Sequence, residues 1–310
     1  MSIPYFDAHC DTISRCKRTK EPLRDNGGQL DLKRLSRFAR AAQVFAVFCD
    51  GAGRSAEELF AETRAQQSLF AREVSMNAEL ALPCRNRAEV EAANAAGKIA
   101  ALLSVEGGEL LDCDPERLDW AASAGVVFVN LTWNHANALC GSHRDDPERG
   151  LSERGRAFVR RLYALGVLPD VSHCSDAGFW DLIRMGGGPV VATHSDARAV
   201  CAHTRNLTDD MFRALCECGG VAGLNFYAPF VSSRGAATLD DAVRHVEHWL
   251  ALGGEKHIGL GGDWDGCDAL AGDLRGAQDV PLLWEELARR GYERPLLEDL
   301  FYNNWLSVLK

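Results

Sequence analysis

The chain has 310 residues, and its composition, 46 % hydrophobic and 25 % charged, is that of a globular protein with enough apolar material for a large core. A formal net charge of −10, with a pI of about 5.4, excludes a protein whose main partner is the phosphate backbone of a nucleic acid. The longest mostly apolar runs, such as residues 125–131, are far shorter than the roughly 20 residues that span a bilayer.

The first ten residues, MSIPYFDAHC, lack the basic region followed by a long apolar region that marks a signal peptide. The C-terminus carries no apolar tail of the kind that directs lipid anchoring. Eleven cysteines are an odd number, and no two of them form a Cys-x-x-Cys pair. We therefore expect a cytoplasmic protein with reduced thiols and no membrane anchor.

Short apolar runs alternate with helix-like segments along the chain. The runs that predict strands are residues 4–6, 43–48, 99–105, 126–131, 167–171, 189–193, 221–225 and 257–260. The segments with apolar residues spaced by three and four, which predict helices, are residues 55–78, 115–124, 152–165, 176–184, 208–218 and 239–252. Eight strands alternating with helices predict an α/β fold, the (β/α)8 TIM barrel, which needs about 250 residues. We expect a single catalytic domain over residues 1–310, with inserted loops at 17–40 and 136–150.

Polar clusters follow six of the eight predicted strands. In chain order they are DAHCD, SVEGGE, LTWNHAN, DVSHCSD, ATHSDAR and GLGGDWDG. The carboxyl ends of all strands in a (β/α)8 barrel share one rim, where active sites form. Residues from distant parts of the chain are therefore expected to meet in one pocket.

His9 and Asp11 are the first candidates at this rim. Positions i and i+2 of a strand point the same way, so both side chains are expected to face the barrel axis while Cys10 faces the helices. The alternative, a solvated polar face of an edge strand, is disfavoured because a strand inside a barrel has no free edge. Burying both ionisable groups without partners would also destabilise the fold. Asp7 shares this face by spacing, and we expect it to orient a ligand histidine.

His173 and His194 add two imidazoles at neighbouring strand ends, and Glu106 adds a carboxylate at the end of a third apolar strand. Gly107 and the glycine after it allow the backbone to turn closely there. Glu109 is the rival carboxylate, and because it lies beyond the glycines we expect it to be a loop charge.

Three imidazoles and two carboxylates are too many ligands for one catalytic zinc, which usually keeps about three protein ligands and a water. They suit two cations roughly 3.5–4 Å apart that share a bridging carboxylate and a bridging hydroxide. The mixed nitrogen and oxygen donors favour Zn²⁺, with Mn²⁺ or Co²⁺ as substitutes. The sequence therefore predicts a hydrolase.

Asp263 is the candidate proton shuttle, because it ends the eighth strand after two glycines that keep the backbone close to the rim. Asp265 lies on the same face by spacing, so the pattern does not separate the two carboxylates. Asp263 is nearer to the strand and is the first candidate.

Six ordered motifs resemble those of the membrane (renal) dipeptidase family of metallopeptidases: DAHCDT, SVEGGE, DVSHCSD, ATHSDARAV, TRNLTDD and IGLGGDWDG. The resemblance runs from Tyr5 to Gly266, and it differs from the wider amidohydrolases, whose first strand usually carries His-x-His. It implies an amidohydrolase-like barrel with two zinc ions that hydrolyses dipeptides, often with a D-residue at the C-terminal side.

The resemblance also implies a role for each site residue. It places His9 and Asp11 on one metal and His173 and His194 on the other, with Glu106 bridging them. Asp263 matches the family's catalytic acid and base. Arg205 matches an arginine that holds the terminal carboxylate of the substrate, although from the sequence alone it could equally be a surface charge.

The chain departs from the family at two places. Many members carry a substrate-facing histidine directly after a Leu-Thr at the fourth strand end, whereas Trp133 follows Thr132 here. His135, two residues later, is expected to polarise the scissile carbonyl and to stabilise its oxyanion; the alternative is a loop histidine. Near the C-terminus, YNNWLSVL lacks the family's glycines and arginine. This stretch is remote from the ligands in sequence, so we expect the difference to affect packing and not the chemistry. No role is assigned to the remaining histidines, His143, His203, His245, His248 and His257.

The predicted function is a binuclear zinc dipeptidase that hydrolyses unblocked L-Xaa-L-Xaa or L-Xaa-D-Xaa dipeptides. Three alternatives keep the site but change the substrate: an amidase or acylase, a β-lactam hydrolase, or a lactonase. A fourth is a catalytically silent barrel that binds a ligand. The oligomeric state is open from the sequence, with a homodimer as the candidate, since barrels of this kind often associate as dimers.

Overall fold

The computed structural model describes residues 2–310 and is built around a curled, all-parallel sheet with helices outside it. The strands are β1 Pro4–Asp7, β2 Arg40–Val47, β3 Ala81–Pro83, β4 Ile99–Glu106, β5 Val126–Asn130, β6 Leu168–Asp170, β7 Ala222–Leu224 and β8 Ile258–Leu260. Their order in the sheet is β6-β5-β4-β2-β1-β8-β7, and β3 pairs with β4 outside this path. The predicted α/β barrel is confirmed.

The helices follow the strands as in a (β/α)8 barrel. They are α1 Thr12–Thr19, α2 Leu32–Leu35, α3 Ala56–Met76, α4 Arg87–Ala95, α5 Leu118–Ser123, α6 Glu153–Leu165, α7 Asp176–Met185, α8 Asp209–Glu217, α9 Ala228–Val231, α10 Leu239–Ala251, α11 Val280–Arg289, α12 Arg294–Glu298 and α13 Asn304–Val308. Short 3-10 turns lie at Gly108–Leu111, Pro115–Arg117 and Ala277–Asp279, and a π-helical turn lies at Asp299–Asn303. Within the described part of the chain, no helix has both the length and the apolar character needed to cross a membrane.

The helix starts that the sequence predicts are explained by capping. Ser55 and Glu58 form a capping box at the start of α3, in which the Ser55 side chain accepts from the Glu58 N–H and the Glu58 carboxylate accepts in return. Ser152 caps α6 and Thr208 caps α8 in the same way, since each hydroxyl oxygen accepts from the backbone N–H three residues on. Each cap satisfies a backbone donor that has no partner within its helix.

The predicted strand at residues 189–193 forms only single bridges, one to β6 and one to β7. Val191 pairs with Asp170, and Ala192 pairs with Ala222. The Val171 N–H donates to the Val191 carbonyl at 2.8 Å, and the Gly223 N–H donates to the Ala192 carbonyl at 2.8 Å. These bonds connect the two ends of the sheet and complete the ring.

Several elements were not predicted. β3 has three residues, which is too short for a recognisable strand pattern, and α4 after it is rich in alanine, so that only Val90 and Ala93 mark its buried side. The helices α11–α13, which follow β8, were also missed. Prolines mark the starts of α11 and α12, and Gly291 follows the end of α11, so the sequence did carry boundary signals for them.

The two buried clusters separate the inside of the barrel from its outside. One contains alternate residues of the strands, among them Phe6, Val44 and Phe128, together with Trp305. The other, larger cluster lies between the sheet and the surrounding helices. Trp305 fills the barrel interior: its Nε1–H donates to the Leu260 carbonyl at 2.8 Å, and its ring is 5.8 Å from that of Phe128.

Replacing Trp305 with alanine is expected to lower the free energy of unfolding by about 3–5 kcal/mol, because the indole is fully buried and leaves a large cavity. Gly259 sets the space for this ring, since a Cβ there would lie 2.1 Å from the indole Nε1. Urea unfolding measures the loss, with Trp120→Ala as the matched control at a partly exposed tryptophan. A loss at Trp305 no larger than at Trp120 would contradict this interpretation of the core.

Candidate active site

Asp7, the last residue of β1, does not face the same way as His9 and Asp11, contrary to the expectation from spacing. Phe6 and Ala8 belong to the cluster inside the barrel, so Asp7, which alternates with them, lies on the outer side of β1. The chain then bends at Ala8. The bend changes the alternation, and after it His9 and Asp11 face the barrel axis.

Asp7 joins the ends of β1 and β8 through the backbone rather than by orienting an imidazole. Its Oδ1 accepts from the His9 N–H at 3.0 Å, and its Oδ2 accepts from the Gly262 N–H at 2.9 Å and the Trp264 indole N–H at 3.1 Å. Burial raises the pKa of Asp7 to about 6. Cys10 packs in the outer cluster, as predicted.

Glu106 is the last residue of β4 and lies between the three predicted histidines. Its Oε1 is 2.9 Å from His173 Nε2 and 3.5 Å from His194 Nε2, and its Oε2 is 3.6 Å from His9 Nε2. The side chain is buried, and burial raises the pKa of Glu106 to about 7. One carboxylate thus reaches the histidines of three different strand ends.

Glu109, the rival of Glu106, contacts none of these histidines and lies in the 3-10 turn Gly108–Leu111 beyond the glycines. Its carboxylate accepts from the Asn137 Nδ2 at 2.7 Å, and burial raises its pKa. It lines a neighbouring cavity of about 280 Å³. This position is consistent with the prediction that Glu109 is a loop charge outside the site.

The imidazoles of His173 and His194 point their Nε2 atoms at each other at a distance of 3.0 Å. His173 Nδ1 lies 2.8 Å from Asn134 Oδ1, and His194 Nδ1 lies 2.8 Å from Thr193 Oγ1. The Thr193 hydroxyl donates to Asp170, so its oxygen is left to accept. Both partners of the Nδ1 atoms are therefore acceptors, the protons lie on Nδ1, and both Nε2 atoms direct lone pairs at each other.

The electrostatic surroundings keep these two rings neutral. Burial lowers the pKa of His173 and of His194 well below the usual range, and the charges of Arg205 and His9 add to the effect. Burial alone would also lower the pKa of His9, but the carboxylates of Glu106 and Asp11 outweigh it and the pKa is raised well above its usual value. Neutral imidazoles are the form that binds metal ions.

Buried polar atoms without partners lie at the centre of this cluster. Among residues 2–310, neither His9 Nδ1, nor His9 Nε2, nor Asp11 Oδ1 has a hydrogen-bond partner. Each such atom would destabilise the fold by about 1–3 kcal/mol. Two sets of donor atoms lie within 4.8 Å of one another: His9, Glu106 and His194, and His9, Asp11 and Asp263. The unpaired atoms and the facing lone pairs fit cations held by nitrogen and oxygen ligands.

Asp263 and Asp265 both have left-handed backbone conformations, with φ of 58° and 66°, but their carboxylates have different partners. Asp265 accepts from the Thr12 hydroxyl at 2.7 Å and from the Gln29 backbone N–H at 2.7 Å. Both of its oxygens therefore hold α1 and the 17–40 loop against the end of β8.

Asp263 keeps one oxygen turned towards the cluster. Its Oδ2 accepts from the Asn225 Nδ2 at 3.1 Å, while its Oδ1 is 3.9 Å from His9 Nε2. A Cβ on Gly266 would lie 2.4 Å from this Oδ1 and 2.3 Å from Asp11 Oδ2, so only glycine leaves both carboxylates unobstructed. Asn225, at the end of the predicted seventh strand, was missed because that strand was not seen to end in an ionisable group.

A cavity of about 410 Å³ opens over the cluster. Its carboxylates belong to Asp11, Glu106, Asp263, Asp265 and Asp268. Its aromatic side chains are Phe48, Trp133, Tyr227 and Phe230. A second cavity of about 600 Å³, between α1 and α3, contains none of the predicted site residues.

Arg205 is buried beside this cavity, and its alternative interpretation as a surface charge is wrong. Its side chain is 3 % exposed, with Nη1 3.4 Å from the Ser195 hydroxyl and Nη2 donating to the His194 carbonyl at 3.2 Å. Its Nε has no partner among the described residues. The guanidinium lies 5.3 Å from the ring of Phe230, which lines the cavity. Burial lowers the pKa of Arg205, opposed by the charge of Asp263 and other carboxylates.

The structure does not bring His135 into this cavity. The ring is half exposed, its Nδ1 is 2.6 Å from Asp145 Oδ2, and it lines the neighbouring cavity with Glu109. Trp133 lines both cavities and stands between them. The position that was expected for His135 is occupied instead by Trp133 and Asn134.

Asn134 and His143 were missed by the sequence analysis. Asn134 lines the cavity, and its Oδ1 lies 2.8 Å from His173 Nδ1 and 2.9 Å from His143 Nε2. The local sequence offers no signal for these contacts, because they join the segment after β5, the 136–150 loop and the segment after β6.

Comparison with known proteins identifies relatives over the whole chain. The sequence model of the membrane dipeptidase family, peptidase family M19, matches residues 1–310. An uncharacterized protein in the pqqA 5′ region of Klebsiella pneumoniae is 34 % identical over 237 residues, which cover 73 % of this chain and 87 % of that protein.

Two solved structures share the fold with a TM-score of 0.92 each. One is dipeptidase AC, a metallopeptidase of family M19; it is 28 % identical, and the match covers 99 % of this chain and 98 % of that one. The other is a metallopeptidase from Rhodobacter sphaeroides, liganded with a phosphinate mimic of the dipeptide L-Ala-D-Ala. It is 27 % identical, and the match covers 99 % of both chains.

Proposed function

The chain belongs to the membrane dipeptidase family, peptidase family M19, and is a metal-dependent dipeptidase; from that premise we propose that it hydrolyses unblocked dipeptides with two zinc ions. The observation that carries the proposal is the 3.0 Å distance between His173 Nε2 and His194 Nε2 beside Glu106, with both Nδ1 atoms facing acceptor oxygens. Lone pairs at that distance repel each other unless a cation lies between them.

We assign His9 and Asp11 to one ion and His173 and His194 to the other, with Glu106 shared by both. The carboxylate of Glu106 supports this assignment, since its two oxygens face different histidines at 2.9–3.6 Å. Nitrogen and oxygen donors together suit Zn²⁺, and Mn²⁺ or Co²⁺ are accepted by the same donors.

When bound, the two ions would activate a water molecule and polarise the scissile carbonyl. Asp263 would take the proton of the attacking water on Oδ1 and return it to the nitrogen of the leaving amine, so that the carboxylate is regenerated. Asn225 holds Oδ2 at 3.1 Å and thereby keeps Oδ1 towards the cluster.

Arg205 would bind the terminal carboxylate of the dipeptide. Its buried guanidinium has an unpaired Nε–H, and two parallel N–H groups of a guanidinium match the two oxygens of a carboxylate. The cavity lining carries five carboxylates and one arginine, Arg18, so its excess of acidic groups complements the free ammonium group at the other end of an unblocked dipeptide. These two charges favour a dipeptide over a blocked or longer peptide.

A related protein supports the proposal that the second residue can be a D-residue. The Rhodobacter sphaeroides metallopeptidase binds a mimic of L-Ala-D-Ala. We extend this to the present chain and propose that it accepts L-Xaa-D-Xaa as well as L-Xaa-L-Xaa dipeptides.

Exhaustive chelation is expected to abolish the release of free amino acids from L-Ala-L-Ala and L-Ala-D-Ala, because the imidazole cluster then has no cation to bind. Addition of Zn²⁺ should restore activity, with up to two zinc ions per chain by elemental analysis. Activity that survives complete chelation would refute the proposal.

The same assay separates the dipeptidase from the alternatives. N-acetylation of the substrate removes the ammonium group, so a dipeptidase should lose most of its activity while an acylase should not. Turnover of a β-lactam or a lactone, but of no dipeptide, would favour those hydrolases. Zinc binding without turnover of any dipeptide would point to a silent barrel.

A further inference from the structure

Asn134 connects a proposed metal ligand to the substrate cavity. Its side chain is partly buried in the cavity wall, and Oδ1 lies 2.8 Å from His173 Nδ1 and 2.9 Å from His143 Nε2. An amide oxygen has two lone pairs and can accept from both rings at once. The oxygen is therefore fully occupied by two imidazole N–H groups.

His143 and the backbone hold Asn134 in this position. The second nitrogen of His143, Nδ1, lies 2.9 Å from the Thr204 hydroxyl, which can donate to it. The backbone N–H of His143 donates to the His173 carbonyl at 2.9 Å, and the Ser142 hydroxyl donates to the Asn134 carbonyl at 2.8 Å. The segments after β5 and β6 and the 136–150 loop are thus bonded to one another around the amide.

The orientation of the amide, with Oδ1 towards His173, decides whether the ring can hold a cation. If the amide were reversed, its N–H groups would face His173 Nδ1 and the proton of that ring would move to Nε2, where it would block a cation. With the oxygen towards His173, the Nδ2 of Asn134 is left for the cavity. None of the hydrogen bonds that the described residues form uses this nitrogen.

We infer that Asn134 is a positioning residue that fixes the ring and tautomer of His173 through its oxygen and presents its amide N–H groups to an oxygen atom of the bound dipeptide. The inference rests on the proposed metal site and adds to it a residue that couples metal binding to substrate binding. In this chain Asn134 directly follows Trp133, the residue that stands where many family members carry a histidine.

Two substitutions separate the two functions of this amide. Asn134→Leu has nearly the same volume but cannot accept from His173, so the dissociation constant for Zn²⁺ is expected to rise by about 10- to 100-fold. Asn134→Asp keeps both acceptor contacts but has no donor, so zinc binding should stay within about threefold or become tighter. Its KM for L-Ala-L-Ala should rise about tenfold, with a smaller change in kcat.

Zinc affinity is measured by competition with a chromogenic chelator, independently of activity. Glu148→Gln, an exposed position on the same loop, should leave the affinity unchanged. Unfolding of the metal-free variants is recorded alongside, and Asn134→Ala replaces Asn134→Leu if the leucine does not fold.

Zinc binding by Asn134→Leu or Asn134→Ala as tight as that of the wild type overturns the inference, as does zinc binding by Asn134→Asp as weak as that of the leucine variant. Wild-type protein that binds no metal overturns the proposed function itself, so the two failures are distinct.

Discussion

Replacing Asp263 with asparagine is expected to lower kcat for L-Ala-L-Ala by about 10²–10⁴-fold, while KM and zinc content stay within a few fold. The amide of Asn has nearly the same shape as the carboxylate, but it cannot accept the proton of the attacking water. Asp263 follows β8, and its Oδ1 faces His9 at a distance of 3.9 Å from the His9 Nε2. Steady-state kinetics with metal analysis of the same samples measures both parts of this prediction.

Asp265→Asn is the matched comparison, since it removes a carboxylate two residues away. Both oxygens of Asp265 already accept hydrogen bonds, from Thr12 and from Gln29, so its loss should reduce the free energy of unfolding more than kcat. If Asp265→Asn lowered kcat as much as Asp263→Asn, the assignment of the proton transfer to Asp263 would be wrong.

Replacing Arg205 with methionine is expected to lower kcat/KM for dipeptides by roughly 30- to 700-fold, equivalent to about 2–4 kcal/mol, mainly through KM. Methionine fills much of the space of the buried arginine stem but cannot bind a carboxylate. The guanidinium is buried beside the cavity with an unpaired Nε, so a substrate carboxylate can supply its missing partner.

The substrate supplies the control for this variant. A dipeptide amide lacks the terminal carboxylate, so the wild type should hydrolyse it poorly and Arg205→Met should hydrolyse it about equally poorly. An equal loss of activity by Arg205→Met on the acid and on the amide would show that the arginine acts on the fold or on the metal ligands and not on the carboxylate.

The sequence determined the barrel and the chemical identity of its rim. Apolar runs that end in DAHCD, SVEGGE, DVSHCSD and ATHSDAR are local features, and a parallel barrel necessarily brings such strand ends to one side. The same reasoning correctly brought His9, Glu106, His173 and His194 together. It also predicted helix starts, because capping residues act within a single turn of the chain.

The choice among similar side chains at the rim was decided only by the tertiary structure. The bend at Ala8 placed Asp7 outside the barrel although its spacing put it with His9. The roles of Asp265 and Asp263 differ because Asp265 accepts a hydrogen bond from Gln29, which lies 236 residues away along the chain.

His135 and Asn134, which are adjacent in the chain, show the same limit of prediction from spacing. His135 pairs with Asp145 outside the cavity, whereas Asn134 accepts from His173, 39 residues away. Spacing along a strand reports the direction of a side chain only while the strand continues. Beyond the strand end, the direction is determined by hydrogen bonds to distant segments, and these exist only once the barrel has closed.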